Sequence, residues 1–515
     1  MSETKGGNGN NMVQEPPKKL KKVTFWQQYR RKPLGMIGLT IVIVYVLAAI
    51  AAPLITQYDP TKDLFLADNL AAPLWMRNLS AKYKDAPVTI SKMVGLEDWT
   101  VTEGTDYGFA GTTYEDEEFM LIEMPAASSS GEEDPMIEIL KDIYTPEELA
   151  EMFGADAAAS KSAYSMEFTL PYDYSPPNTF NFSFDYAVEG SSPESTTVAR
   201  LLIISPSGKE YDIWGMDAYG DWPISYITVD GRDVPVKMRL GLGFFDDPSK
   251  IILSEKGDYT VKFMVETDSA TGAKIYLTPV KVNIPGLLHG ILGTDHMGSD
   301  LWSQLIYGAR ISLMIGLTAA FISVFLGTTV GIISGYVGGA VDEVLMRFVD
   351  VLLAIPSLPI LIVLSALLGT SVWNVVILVA MFSWMGTARL VRSQTLTLKE
   401  RAFVEAAKAS GATDGYVMVT HILPNVMPLV FSALVLRIPS AILTEASLSF
   451  LGLGDPRVPT WGRMLQNARG FGAFTVMAWW WLLPPGLALT FLSLAFVFIG
   501  NTVNEILNPR YRERS

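Results

Sequence analysis

Six long apolar runs, separated by polar segments, dominate the pattern of this 515-residue chain. Each run is close to the roughly 20 residues that an α-helix needs to cross the hydrocarbon core of a bilayer. The pattern therefore predicts an α-helical polytopic membrane protein with six transmembrane helices. The predicted spans cover approximately residues 34–55, 311–333, 348–368, 372–391, 426–443 and 479–503.

Basic residues predict the orientation of these spans. Residues 18–32 hold seven Lys or Arg residues directly before the first run. Further basic residues lie between the fourth and fifth runs and in the tail after residue 506. By the positive-inside rule these segments face the cytoplasm, so both termini are expected there. The first run is longer than the apolar part of a typical signal peptide, and we interpret it as a retained span in the cell membrane.

The chain divides, on this interpretation, into five parts. A basic N-terminal segment (1–33) and a first transmembrane helix (34–57) precede a long extracytoplasmic insert (58–290). A core of five helices (291–505) and a short cytoplasmic tail (506–515) follow. The net charge of −14 is segregated, because residues 58–288 hold 39 of the 53 acidic but only 17 of the 39 basic residues. Such asymmetry between segments supports two compartments.

The insert has two halves with different patterns. Residues 58–162 are acidic and are predicted to be irregular, with one short helix at 145–153 that begins with a Thr145/Glu148 capping box. Residues 163–285 alternate with period two, as in Phe180, Phe182 and Phe184, and turn residues separate the runs. This half is therefore predicted to form a β-sandwich, for which an immunoglobulin-like arrangement is one option. Its acidic clusters are interpreted as solvated surface rather than as a calcium site, since no calcium-binding loop motif is present.

Composition excludes several kinds of chemistry. The chain has no cysteine and only three histidines, His289, His296 and His421. No two of these have metal-ligand spacing, and no Gly-x4-Gly-Lys-Ser/Thr loop is present to bind nucleotide phosphates. We therefore predict no catalytic residue, no metal and no cofactor in this chain, and no nucleic-acid partner. Energy for any work would have to come from another protein.

The segment between the fourth and fifth runs, residues 389–425, has the clearest motif. It contains Glu405, Ala406 and Ala407 with helix-forming neighbours, and Gly411, where such a helix can end. The chain is expected to re-enter the membrane near Pro424. The spacing, together with His421, Leu423 and Pro424, resembles the coupling loop of ABC importer membrane subunits, in the form found in di- and oligopeptide permeases. The resemblance implies that this loop docks on a separate ATPase.

A second motif precedes the second span. Gly293, Thr294, Asp295, Gly298 and Asp300 match the Gly-Thr-Asp-x-x-Gly-x-Asp pattern of the same permease branch. From the residues alone, turn and helix-cap chemistry is favoured over metal binding. The resemblance extends to the segments 446–462 and 507–510. It therefore covers residues 292–510 closely and residues 1–60 loosely. It does not cover the insert.

Two further features lie within the spans. Gly327, Gly331 and Gly335 recur every four residues, which favours close helix packing, either within the subunit or between subunits. Arg437 lies deep in the fifth span, where charge is costly, so it is predicted to line the pathway or to pair with Glu445. Pro356 and Pro359 are expected to break the third span.

The resemblance implies the membrane subunit of an ABC importer of the C-type peptide permease kind. Its expected partners are a homologous second permease, two ATP-binding subunits that bind ATP and Mg²⁺, an extracytoplasmic substrate-binding protein and the lipid bilayer. Peptides are the leading substrate, with oligosaccharides, nickel chelates and glutathione as alternatives. A membrane anchor that displays the β-domain would need only one span, and a secondary transporter should have an internal repeat, which the sequence lacks.

Overall fold

The computed structural model describes residues 24–104, 108–114, 117–126, 162–191, 193, 195–269 and 271–507. These residues form two compact units. A helical unit comprises the described parts of residues 1–47, 312–448 and 489–515. A second unit, named the outer unit because the sequence predicts residues 58–290 to be extracytoplasmic, comprises those of residues 48–311 and 449–488. The predicted domain boundary at residue 290 therefore falls inside the second unit rather than at its edge.

The described residues form 16 α-helices, and a π-helical turn, Met418–Ile422, joins α13 to α14. In chain order the helices are α1 (Phe25–Tyr29), α2 (Pro33–Ile50), α3 (Ala52–Ile55), α4 (Met76–Leu79), α5 (Val234–Arg239), α6 (Pro248–Ile252), α7 (Leu301–Val337), α8 (Gly339–Ala354), α9 (Ser357–Leu368), α10 (Val372–Ser383), α11 (Met385–Lys399), α12 (Ala402–Ala409), α13 (Asp414–Val417), α14 (Leu423–Phe450), α15 (Trp461–Gly470) and α16 (Trp479–Leu507).

The helical content confirms a polytopic membrane protein. Four continuous helical segments in the described residues are long and apolar enough to cross a bilayer: α2, α7, residues 414–450 and α16. Two bent pairs, α8 with α9 and α10 with α11, bring the number to six if each pair forms one span. The α8–α9 pair bends by 87° at the residues around Pro356, where the sequence predicts a break. Proline lacks the N–H that an uninterrupted helix needs there.

The helix that contains the predicted fifth span begins well before Pro424. It runs from Asp414 to Phe450 without a sharp break. Proline is tolerated in a membrane helix when local π-helical adjustment satisfies the freed backbone groups, and the π-turn that ends at Ile422 lies directly before Pro424. The last part of the segment 389–425, from Asp414 onward, is therefore continuous with the fifth helix.

The first span packs against the last within the helical unit. A Cβ on Gly38 would lie 2.5 Å from the carbonyl oxygen of Ala495, and one on Gly35 would lie 2.7 Å from Thr502. Both glycines therefore bring the backbone of α2 close to α16. An ion pair between Lys32 and Glu505 joins the ends of the same two helices.

The outer unit contains 12 described strands in two antiparallel sheets. One sheet has seven strands in the order β1-β12-β6-β11-β4-β3, with β9 also paired to β6, and the other has the order β2-β5-β10-β7-β8. The strands are β1 (Ile90–Val94), β2 (Thr100–Glu103), β3 (Gly108–Tyr114), β4 (Glu117–Met124), β5 (Ser162–Tyr172), β6 (Asn181–Glu189), β7 (Thr196–Ile204), β8 (Glu210–Tyr219), β9 (Trp222–Asp230), β10 (Gly257–Thr267), β11 (Ala273–Leu277) and β12 (Val280–Ile284).

The two sheets share one apolar core, which confirms the predicted sandwich-like domain. Phe184 on β6 and Phe263 on β10 belong to different sheets, and their ring centroids lie 6.3 Å apart in an edge-to-face arrangement. Both side chains are almost completely buried. The inward positions alternate along each strand as a half-buried sheet requires. The 12 strands exceed the seven of an immunoglobulin constant-type domain.

The prediction that residues 58–162 are irregular is wrong for part of that range. Strands β1 to β4 lie within it, and β4 pairs with β11 on one side and with the edge strand β3 on the other. Its residues Met120, Ile122 and Met124 alternate into the core. β1 and β2 have only five and four residues, and the acidic residues of β4 made its alternation less visible in the sequence. The predicted helix at 145–153 lies outside the described residues.

Candidate functional site

Helix α12 and its C-terminal end form the centre of the candidate coupling site. The helix contains Glu405, Ala406 and Ala407 and ends in a Schellman motif. The Ala412 N–H donates to the Ala407 carbonyl at 3.1 Å, and the Gly411 N–H donates to the Lys408 carbonyl at 3.0 Å. Gly411 has φ +85°, a conformation that favours glycine. The end of the helix is therefore fixed by two backbone hydrogen bonds and by the glycine at position 411.

One face of α12 is anchored and the other is free to make contacts. Val404 is completely buried, in a cluster with Val417, Ile422 and Val426. Glu405 and Ala406 are exposed, and Ala407 is half-buried. An open cleft of about 620 Å³ runs beside the helix. Its lining residues are Phe403, Ala406, Ala407, Ser410, Gly411, Ala412, Thr413, Tyr416 and His421.

The other residues of the motif lie around the π-turn. His421 is half-buried, and its ring centroid lies 5.8 Å from that of Tyr416 and 6.3 Å from that of Phe403. Leu423 packs against the same buried cluster as Val404, whereas Pro424 is exposed. The structure therefore brings Ala406, Ala407, Gly411 and His421 to one cleft and places Pro424 outside it.

Two polar contacts that the sequence analysis missed support this segment. The hydroxyl of Tyr336, at the end of α7, donates a hydrogen bond to Asp414 at 2.8 Å. The ammonium of Lys408 lies 4.6 Å from the centre of the Tyr336 ring, within range of a cation–π contact. These two contacts tie the C-terminal side of α12 and the start of α13 to the end of α7.

An ion pair at the neighbouring helix ends was also missed. Arg392 on α11 binds Asp342 on α8 through two guanidinium nitrogens, and the hydroxyl of Ser334 on α7 donates to the same carboxylate. Paired N–H donors in this geometry fix orientation as well as distance. Oppositely charged residues near the ends of adjacent spans are the sequence feature that indicates such an ion pair. The sequence pattern does not show which of these residues pair with each other.

The glycine stripe packs inside the chain. A Cβ on Gly327, Gly331 or Gly335 would lie 2.6 to 2.8 Å from the carbonyl oxygen of Trp384, Ala388 or Arg392, respectively. The three glycines of this stripe therefore face the backbone of α11, from the residue before its first turn to Arg392. Of the two interpretations that the spacing allowed, the structure shows the packing within the subunit.

Arg437 and Glu445 do not pair. Arg437 is half-buried near the middle of α14, and no ion pair joins it to a described residue. One guanidinium nitrogen lies instead beside Gly386, 2.8 Å from where a Cβ would be. Glu445 is buried at 1% exposure, about two helical turns farther along α14. The separation along the helix explains the missing pair.

The outer-face motif forms a turn followed by a helix cap. Asp295 accepts hydrogen bonds from the backbone N–H groups of Met297 (2.8 Å) and Ser299 (3.1 Å) and from the Gln304 side chain (2.7 Å). Asp300 caps α7 by accepting from the Ser303 N–H and hydroxyl, both at 2.7 Å. Both carboxylates are therefore used within the turn and cap, as the sequence favours.

The remaining motif residues hold this turn against a neighbouring segment. Thr294 donates from its hydroxyl to the Asp68 carbonyl at 2.7 Å and accepts from the Ala71 N–H at 2.9 Å. Gly293 and Gly298 have φ of +74° and +68°. Side chains at either glycine would clash with the carbonyl oxygen of Ala71 or Ala67. The motif therefore fixes the chain path at the start of α7.

His289 and His296 are half-buried, each beside a carboxylate. His289 lies 3.5 Å from Asp300, and burial lowers its pKa below the ordinary value although Asp300 opposes the shift. The ring of His296 stacks on Phe471 with centroids 3.6 Å apart, and burial likewise lowers its pKa despite Asp295. In the described part of the chain no group of three His, Cys, Asp or Glu side chains could hold a metal ion.

Comparison with known proteins gives matches in the membrane part. A model of the family "binding-protein-dependent transport system inner membrane component" matches residues 327–513. A model of the N-terminal transmembrane domain of oligopeptide transport permease C matches residues 23–73. Among solved structures, an inward-facing MetNI methionine ABC transporter chain is similar over 40% of this chain and 96% of its own length, at 17% identity and a TM-score of 0.33.

Two curated relatives match at higher identity. A putative peptide transport system permease protein of Brucella suis is 39% identical over 245 residues, which is 47% of this chain and 81% of the relative. The glutathione transport system permease protein GsiD of Shigella flexneri is 44% identical over 231 residues, which is 45% of this chain and 75% of the relative. Most of each relative is therefore aligned, against less than half of this chain.

Proposed function

This chain belongs to the family of binding-protein-dependent transport system inner membrane components, and we propose that, as the permease subunit of an ABC importer, it forms the translocation pathway for di- and oligopeptides. The proposal for peptides is supported by the Brucella suis relative and by the match to oligopeptide transport permease C. Glutathione is a second candidate, because the Shigella flexneri relative is a glutathione permease. Glutathione is itself a tripeptide, so the two candidates share a chemical class.

The observation that best supports ATP-driven transport is the geometry of α12. Its exposed face, its fixed end at Gly411 and the adjacent cleft make a rigid knob on the end of the spans. The sequence lacks a phosphate-binding loop of its own. We propose that two separate subunits bind ATP and Mg²⁺ and that one of them receives α12. A homologous second permease and an extracytoplasmic binding protein complete the assembly.

Membrane orientation follows from the charge distribution. The basic segments at residues 18–32 and 389–408 and the basic tail all belong on the cytoplasmic side under the positive-inside rule. The outer unit, with its acidic strands and loops, then lies outside the cell membrane. On this orientation α12 faces the ATPases and the sandwich faces the binding protein.

Reconstitution tests the proposal directly. We expect the purified chain alone to bind no nucleotide and to show no ATPase activity. Proteoliposomes that contain the chain with the second permease and both ATPases should take up a radiolabelled tripeptide only when the binding protein and ATP are added. Nucleotide binding by the isolated chain, or peptide uptake without ATPase subunits, would contradict the importer mechanism. Uptake of oligosaccharide or nickel chelate but not of peptide would reject the substrate class alone.

The sandwich offers a second test, on the docking of the binding protein. We propose that it folds autonomously and helps to seat the binding protein or shields the entrance of the pathway. Strands β1 to β4 belong to the sandwich, so the autonomous segment must extend from about residue 88 to 286 rather than begin at 163. A domain of this size buries enough surface to fold alone.

The pairing of β1 with β12 allows the sandwich to be replaced by a short turn. Ile90 on β1 and Ile284 on β12 are direct antiparallel partners, so an Asn-Gly turn can replace residues 91–283. The contacts of Trp75 with Trp479 and of Tyr83 with Trp480 lie outside the excised part. We expect membrane insertion to persist and the affinity for the binding protein and the uptake rate to fall. Unchanged values of both would reject the docking role, and failure of residues 88–286 to unfold cooperatively would reject autonomy.

A further inference from the structure

Arg437 is a charged residue at the centre of the predicted fifth span. It lies 14 residues after the start of α14 and 13 before its end, so about 20 Å of helix separates it from either end. An arginine side chain is too short to reach the bilayer surface from this depth. Within the part of the chain that the structure describes, its guanidinium forms neither an ion pair nor a hydrogen bond.

A charge at this depth in a membrane costs free energy unless another group binds it. A guanidinium has five N–H donors, and unsatisfied donors within a membrane have no water to bind. Ionisable residues inside membranes generally face a cavity and serve a substrate pathway. Glu445, the acidic residue of the same helix, is buried elsewhere and does not compensate the charge.

The surroundings of Arg437 are suited to leaving the guanidinium accessible. One of its terminal nitrogens lies beside Gly386, where even a methyl group would come within 2.8 Å. Gly386 is exposed and is the second residue of α11, next to the 40° bend between α10 and α11. The missing side chain at Gly386 therefore leaves space for the guanidinium at a bend in the neighbouring span.

We propose that Arg437 binds the free carboxylate of the transported peptide during its passage, and that it thereby selects carboxylate-bearing substrates. A carboxylate matches the guanidinium fork with two parallel hydrogen bonds, and this pairing is stronger than a bond between neutral groups. The inference rests on the proposed function, because it requires that a peptide pass this span. The inference adds to that function which residue of the chain and which group of the substrate bind each other.

The test compares one peptide in two forms, the free acid Ala-Ala-Ala and its C-terminal amide. Uptake of each is measured in proteoliposomes with the complete transporter, for the wild type and for Arg437→Gln. The preference of the binding protein is the same in both transporters and cancels when their acid-to-amide ratios are compared. We expect Arg437→Gln to reduce uptake of the acid by about tenfold or more and uptake of the amide by less than about twofold.

Controls separate recognition from folding and from charge. Arg310→Gln removes the same charge from an exposed position of α7 and should leave the acid-to-amide ratio unchanged. Arg437→Lys keeps the charge but loses the paired donors, so we expect an intermediate loss for the acid. If Arg437→Gln fails to insert, the lysine variant still provides the ratio.

The outcomes distinguish this inference from the proposed function. Equal losses for the acid and the amide in both Arg437 variants would assign Arg437 a structural role and overturn the inference, while peptide transport would stand. Absence of uptake of either peptide by the wild-type complex, together with uptake of another substrate class, would overturn the proposed function. A ratio that changes only for the Arg437 variants supports both.

Discussion

Gly331→Val is expected to leave little folded permease, because no space exists for a side chain between α7 and α11. A Cβ at this position would lie 2.6 Å from the Ala388 carbonyl oxygen and 2.8 Å from the Val391 Cβ. The first of these atoms belongs to helix backbone and cannot rotate away. Overpacking a tight contact typically costs about 1–3 kcal/mol, and membrane helices have no hydrophobic effect between them to offset the loss.

The measurement is the yield of monodisperse protein in detergent together with its thermal unfolding temperature. Gly486→Val is the matched control, since a Cβ at Gly486 on α16 would meet no atom within 4 Å. We expect the control to behave like the wild type. Gly331→Ala should have an intermediate effect. A Gly331→Val protein with wild-type yield and unfolding temperature would show that the two helices do not rely on this close approach.

The positions of the spans could be predicted from the sequence because lipid imposes a strict requirement on them. Every backbone polar group in the hydrocarbon must be satisfied within the helix, so a span has a minimum length and a continuous apolar composition. Pro356 could likewise be identified as a break. The continuation of the fifth helix through Pro424 could not, because the π-turn at Met418–Ile422 accommodates the proline through a local backbone adjustment that the residue pattern does not reveal.

Contacts between residues that are far apart in the chain could not be predicted from the sequence. Tyr336 and Asp414 are 78 residues apart, and either could have bound another group. The glycine stripe is consistent with packing inside or between subunits, since both place small residues at the same spacing. In the sandwich, the position of β4 between β3 and β11 depends on its hydrogen bonds to β11, which is about 150 residues away. Local patterns specify the elements, whereas tertiary contacts determine the partners.

The helix ends around α12 suggest how transport and ATP hydrolysis are linked. Tyr336 connects the end of α7 to Asp414, and α7 also contacts α11 along the glycine stripe. A change in the angle between these spans would move the C-terminal end of α12 with α7, because Gly411 lies between Lys408 and Asp414, the two residues that contact Tyr336. On the proposed function, this path would transmit the state of the ATPase to the pathway.

Gly411→Val is the variant that should break this link. A β-branched residue is strongly disfavoured at φ +85°, so the Schellman motif would open and α12 would lose its fixed end. The side chain meets no atom within 4 Å at this position, so the effect would come from backbone strain and not from a clash. We expect the spans to remain inserted while substrate uptake falls by about tenfold or more, which corresponds to a loss of roughly 1.4 kcal/mol or more in coupling.

The experiment measures uptake and substrate-stimulated ATPase activity in the reconstituted transporter. Gly415→Ala is the control, because Gly415 lies on α13 in the same segment, has no positive φ and also has open space around it. Gly411→Ala should have a smaller effect of the same kind, since the strain of a left-handed alanine is about 1–2 kcal/mol. If Gly411→Val supported normal uptake with full ATPase stimulation, the end of α12 would not be part of the coupling path. Loss of both activities in Gly415→Ala as well would mean that any change in this segment disrupts assembly, and the specific role of Gly411 would be rejected.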